Sequence, residues 1–118
     1  GADKLSLKLI AQQSRELVSR ARARHLKLGE YSGALMTVSN LGATKVSSFR
    51  AIVPPGESAI LAVPAAWPRP VVQQDGQVSV LPTWQLSLTA DHRVLDGAVA
   101  AEFLGKLKEL LEHPERLI

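Results

Sequence analysis

The stretch Thr89-Ala90-Asp91-His92-Arg93-Val94-Leu95-Asp96-Gly97-Ala98 sets a histidine between an aspartate and an arginine, with a second aspartate four residues on. An imidazole titrates near neutrality, so His92 is a candidate proton acceptor. The spacing alone also suits a hydrogen-bonded structural histidine followed by an aspartate that only caps a helix. Arg93 is expected to pair with a carboxylate. Ser39, in the segment Ser39-Asn40-Leu41-Gly42, is the second candidate, a hydroxyl that elsewhere more often bonds a nearby backbone group. His25, His92 and His113 lie far apart with no ligand spacing, and there is no cysteine, so no metal site, disulfide or thiolate nucleophile is expected.

Two elements must hold His92. Before it, Trp84, Leu86 and Leu88 alternate with Gln85, Ser87 and Thr89, the period of a half-buried strand. After it, Val99, Ala100, Phe103, Leu104, Leu107, Leu110 and Leu111 recur at helical spacing, with Asp96 placed as cap and Gly97 as the point of a tight turn. Upstream, Ser6 caps a helix reaching to about Leu28, with Leu7, Ile10, Leu17, Val18, Ala21 and Leu26 as its buried stripe and Gly29 ending it. Residues 34–38 read as a strand that Ser39 leaves, residues 46–53 as a short strand closed by Pro54-Pro55-Gly56, and the apolar run 59–63 as a strand buried on both faces. The prolines of residues 64–70 fix an extended connection, and Asp75-Gly76 makes a two-residue hairpin turn between residues 71–74 and 77–80. Strands lying between two helices fit an α/β (α+β) chain: a mixed sheet of about five strands with helices packed on it.

The 118 residues, 46% hydrophobic and 21% charged, suit one small globular domain. The net charge of +3 is uneven: residues 1–30 hold seven Lys or Arg against three acids, leaving seven against eight for the rest of the 14 and 11. The basic residues crowd the second half of the first helix, where its dipole favours cations. Without interleaved aromatics or a recognition motif they do not indicate a nucleic-acid partner. No apolar run approaches a membrane span and no signal segment opens the chain, so a soluble, intracellular protein is expected.

Asp-His-Arg-Val-Leu-Asp-Gly-Ala over residues 91–98, with Ala101-Glu102-Phe103-Leu104 and Leu111-Glu112-His113-Pro114, resembles the C-terminal signature of the dihydrolipoamide acyltransferases, the E2 components of 2-oxo acid dehydrogenase complexes. The likeness continues through Thr37-Val38-Ser39-Asn40-Leu41-Gly42, Pro54-Pro55, Ala59-Ile60-Leu61-Ala62-Val63 and Asp75-Gly76 to Asp3-Lys4-Leu5-Ser6-Leu7. It makes residues 1–118 the C-terminal part of that catalytic domain, about half of it, without the part that supplies much of the substrate channel. Val53 and Pro64 depart from the family's frequent asparagine and glycine.

The resemblance implies a chloramphenicol acetyltransferase-like fold and a homotrimer within a larger core, working with the other subunits of a 2-oxo acid dehydrogenase complex. It implies active sites between subunits, with coenzyme A and dihydrolipoamide as substrates, the lipoyl group being carried elsewhere, and neither metal, membrane nor nucleic acid involved. His92 is then the base, Ser39 the donor to the oxyanion and Asp96 the support of the histidine segment. The alternative is a non-catalytic E2-like assembly module, similar to the core of E3-binding proteins, for which the intact histidine and serine would have no use.

Overall fold

The structure is a computed structural model in which residues 1–117 are described. It holds two compact units, Gly1–Gly33 and the residues from Ala34 onward.

In the first unit, helix α1 (Leu7–Arg22) starts as its sequence dictates, the Ser6 hydroxyl accepting the Leu9 N–H at 3.4 Å. It ends six residues before the expected Leu28. Arg24 takes a left-handed conformation (φ 58°), its N–H reaches the Ala21 carbonyl at 3.0 Å, and the His25 N–H reaches the Arg20 carbonyl at 2.8 Å. This paired closure satisfies the last carbonyls of the helix and is usually built on glycine. The reversal brings Glu30 back to Arg20, whose guanidinium donates to both carboxylate oxygens at 2.7 and 2.6 Å, while Lys27 N–H donates to the same carboxylate at 2.8 Å. Gly29 therefore sits within a 3-10 turn (Leu28–Glu30) instead of ending the helix. No residue of α1 is buried; of the expected stripe, Ile10, Leu17 and Leu26 are half-buried and Leu7 and Val18 exposed.

The second unit is built on β2 (Ala59–Val63). Its apolar run makes it the central strand, with Ala59 to Ala62 all at most 7% exposed. β1 (Met36–Asn40) pairs with it in parallel and β5 (Ser87–Ala90) antiparallel, in the order β1-β2-β5. The expected strand at residues 46–53 does not form: none of the described strands pairs with it, and β-prone composition without a ladder does not make a strand. That segment runs as irregular chain, tied to the core by the Ala65 N–H to the Val46 carbonyl at 2.9 Å.

The remaining strands make a separate ribbon, so among the described residues five strands form, in two sheets. β3 (Trp67–Val72) pairs antiparallel with β4 (Val78–Thr83), Pro68 standing opposite Pro82. The prolines expected to fix an extended connection lie in the ladder and are accommodated because the Pro68–Pro82 pair exchanges no hydrogen bonds: the bonded pairs are the odd-numbered ones, as the Gln73 N–H to the Gln77 carbonyl at 2.8 Å shows. The turn has three residues, not two: Gly76 N–H donates to Gln73 O at 2.9 Å, Gly76 alone carries a positive φ (81°), and Asp75 Oδ1 accepts the Gln77 N–H at 3.0 Å.

β5 begins at Ser87 instead of Trp84, because β4 runs on to Thr83 and Trp84, Gln85 and Leu86 are spent on the link between the sheets. Helix α2 (Gly97–Glu112) packs against β5 and covers Ala100, Leu104, Leu107 and Leu110 in part, whereas Val99, Phe103 and Leu111 of the expected stripe stay exposed.

Candidate active site

His92 stands on the turn that leaves β5. The Asp91 N–H extends the sheet by one further bond, to the Ser58 carbonyl at 2.9 Å, and Ser58 in turn gives its N–H (2.9 Å) and its hydroxyl (2.8 Å) to the Leu35 carbonyl. The root of the turn is thus tied to the chain entering β1 and β2. Beyond it, the Asp91 carbonyl accepts the N–H groups of Val94 and Leu95, each at 3.0 Å, which curls residues 91–95.

The Asp91 side chain closes the same turn. Its Oδ1 accepts the Arg93 backbone N–H at 3.0 Å, and its two oxygens accept Arg93 Nε at 3.0 Å and Nη2 at 2.6 Å. This is the carboxylate that Arg93 was expected to find. Hydrogen bonds from the Arg93 side chain and backbone hold the Asp91 carboxyl down at about 2, so it is an anion throughout the neutral range. His92 itself is exposed, and among the described residues nothing hydrogen-bonds its ring.

Asp96 is the cap that the spacing predicts: its Oδ1 accepts the Val99 N–H at 2.9 Å and starts α2. It makes no hydrogen bond to His92 among the described residues. Gly97 does not make a tight turn. It is the first helical residue, has no left-handed φ, and a Cβ there would meet nothing within 4 Å.

Ser39 is the fourth residue of β1, not the first beyond it; it pairs with Ala62, which pairs with Ser87, and it is half-buried. The register puts Ser39 and His92 toward opposite ends of the sheet. Ala90, two residues before His92, lies in the row of Ala59 and Met36, three rows from Ser39 and two strands across. At strand spacings that is roughly 14 Å between Ser39 and Ala90. One chain does not bring these two side chains together.

Sequence reasoning passed over Asp91 and Ser58. An aspartate two residues before an arginine is a usable signal for the first; Ser58 offers none, because its partners come from distant segments. A groove of 570 Å³ between the link into β5 and α2, lined by Pro82, Thr83, Trp84, Leu86, Leu104 and Leu111 among others, includes neither His92 nor Ser39. Among the described residues no three of His, Asp and Glu gather as a metal would require, and no helix is long and apolar enough to cross a membrane.

The family model described as 2-oxoacid dehydrogenases acyltransferase (catalytic domain) matches residues 1–118. Component 4 of the chloroplastic pyruvate dehydrogenase complex of Arabidopsis thaliana, a dihydrolipoyllysine-residue acetyltransferase, is 45% identical over 116 residues, covering 98% of this chain and 24% of its own length. The mitochondrial counterpart of Neurospora crassa is 40% identical over 123 aligned positions, which cover 100% of this chain and 27% of that protein's own length. The chain thus spans about a quarter of these relatives.

Among solved structures, the Azotobacter vinelandii dihydrolipoamide acetyltransferase superposes with a TM-score of 0.88 at 36% identity, over 98% of this chain and 47% of that one. It was studied for the role of a serine, a histidine and an asparagine in its catalytic mechanism, the asparagine four residues after the histidine. The cubic core of a pyruvate dehydrogenase multienzyme complex gives 0.85, also at 36% identity, with 47% of that chain covered.

Proposed function

The chain belongs to the 2-oxoacid dehydrogenase acyltransferases, and on that premise we propose that it supplies the His92 and Ser39 ends of a site moving an acyl group between dihydrolipoamide and coenzyme A. The observation that carries this reading is an exposed imidazole, without a hydrogen-bond partner among the described residues, on a turn pinned at its root, with Asp96 at the spacing of the Azotobacter asparagine. Ser39 stands 53 residues before His92, from 39 and 92 in this chain, against 52 between serine and histidine in that protein.

The chemistry follows from the groups. The attacking thiol passes its proton to the His92 imidazole as its sulfur begins to bond the thioester carbonyl carbon, because the S–H grows more acidic while that bond forms. The negative charge that develops on the carbonyl oxygen accepts a hydrogen bond from the Ser39 hydroxyl. Collapse of the tetrahedral species breaks the bond to the other sulfur, and that thiolate recovers the proton from His92. Coenzyme A and a lipoyl group carried on another domain are the two thiol carriers; no step calls for a metal.

Because Ser39 and His92 are far apart within one chain, each site needs both from facing copies, which favours a homotrimer in a larger core with the other subunits of a 2-oxo acid dehydrogenase complex. The β3–β4 ribbon supports assembly as well. Its even-numbered face, Pro68, Pro70, Val72, Val78, Val80 and Pro82, is wholly apolar and exposed. The compartment proposed is that of the complex: the bacterial cytoplasm or, in a eukaryote, the mitochondrial matrix or the chloroplast, as in the relatives.

The test is His92→Ala in the assembled protein, followed by acyl exchange between acetyl-coenzyme A and dihydrolipoamide. A loss of at least about a hundredfold is expected. An unchanged rate would return the chain to the assembly-module reading, which the exposed apolar face also suits.

A further inference from the structure

The Asp91–Arg93 pair brackets His92 in sequence, and its geometry is more elaborate than an exposed ion pair needs. The Arg93 side chain is 88% exposed and that of Asp91 21%, so screening leaves the pair little to add to stability. Yet the Asp91 carboxylate accepts four contacts from Arg93: the backbone N–H, Nε on each oxygen, and Nη2. The backbone contact closes a ring around His92, so the φ and ψ of His92 are fixed and with them the direction in which its side chain leaves the turn. Both carboxylate oxygens are also engaged. Asp91, adjacent to the imidazole and always charged, would otherwise be a ready acceptor for a ring N–H, drawing the ring onto itself.

We infer that Asp91 and Arg93 are positioning residues: their clamp aims the His92 ring away from the turn and keeps both ring nitrogens free for the reacting thiol and its surroundings. The inference rests on His92 being the base. It predicts a particular kinetic pattern, since a clamp that acts only through His92 has nothing to act on once that ring is gone.

The experiment measures acyl exchange between acetyl-coenzyme A and dihydrolipoamide in the assembled protein, for Arg93→Ala, Arg93→Lys, Asp91→Asn and His92→Ala, and for Arg93→Ala combined with His92→Ala. Arg93→Ala and Asp91→Asn should lower kcat by about 10- to 100-fold, with KM for both thiols within about twofold, because misaiming a catalytic group costs rate and not binding. Arg93→Lys keeps the charge without the fork and should fall between Arg93→Ala and the unaltered protein. In the His92→Ala background, Arg93→Ala should change the rate by less than about twofold. Circular dichroism and particle mass, unchanged across the set, exclude misfolding.

Unaltered kcat in Arg93→Ala beside a crippled His92→Ala would overturn the clamp and leave the base in place. A further tenfold loss in the double variant would overturn it too, showing that Arg93 acts independently of the ring. If His92→Ala alone kept full rate, the base reading would fail first, and the clamp with it.

Discussion

At the residue scale, Asp96 has two features that substitution can separate, its negative charge and its acceptor oxygen. The oxygen takes the Val99 N–H and starts α2, and asparagine offers the same oxygen without the charge. Asp96→Ala should therefore cost about 1 kcal/mol of stability, whereas Asp96→Asn should stay within a few tenths. If the cap alone matters to the His92 segment, Asp96→Asn keeps its acyl-exchange rate while Asp96→Ala loses some. Thermal melts and rates on both variants check this, and a rate loss in Asp96→Asn equal to that of Asp96→Ala would assign the role to the charge. Much of this neighbourhood was legible in the sequence because its bonds are local: a cap reaches three residues on, and Arg93 finds its partner two residues back. The tie from Asp91 through Ser58 to Leu35 was not legible, since it joins segments that meet only when the sheet forms.

At the element scale, α1 shows where local rules stop being enough. Nothing in Arg22-Ala23-Arg24 signals a helix end, yet Arg24 adopts φ 58°, a conformation that costs a residue with a Cβ. The compensation lies outside the helix, in the Glu30 carboxylate that meets Arg20 only after the reversal. Arg24→Gly should raise stability by about 0.5–1 kcal/mol, read from the denaturation midpoint, because glycine takes this conformation without strain. The Glu30 contact gives a pH dependence of known sign. Hydrogen bonds from Arg20 and the Lys27 backbone lower the Glu30 carboxyl from 4.5 to about 2, so its contribution is full above about 4.5 and fades as pH falls toward 2. The gap in thermal midpoint between the unaltered chain and Glu30→Gln should hold from pH 7 to about 5 and close below it; a gap that persists at pH 2 would mean the contact is not ionic. Strands were misjudged for the same kind of reason. Residues 46–53 have the composition of a strand but pair with none of the described strands, whereas β3 tolerates its prolines because they stand where the ladder needs no donor.

At the scale of the whole molecule, the buried run of β2 announced a central strand, but the division of five strands into a sheet of three and a ribbon of two was hidden, because periodicity carries no pairing information. A lone two-stranded ribbon is marginal in water, and this one exposes an entirely apolar face. Together with the separation of Ser39 from His92, that points to copies completing one another, and the idea can be tested without imaging the assembly. His92→Ala leaves Ser39 intact on its chain, and Ser39→Ala leaves His92 intact, so an assembly of either variant alone carries the same defect in every site. When the two variants are unfolded and reassembled together in equal amounts, random pairing brings an unaltered His92 against an unaltered Ser39 at about a quarter of the interfaces of a cyclic trimer. Acyl exchange should then recover to about a quarter of the unaltered rate, well above either variant alone. If one chain supplied both groups, no mixed assembly could hold an intact pair, and the mixture would show only the mean of the two crippled rates. That outcome, with subunit exchange verified by native mass spectrometry, would rule out a site shared between copies and leave the sheet register to be reconciled with a long reach by His92 inside its own chain.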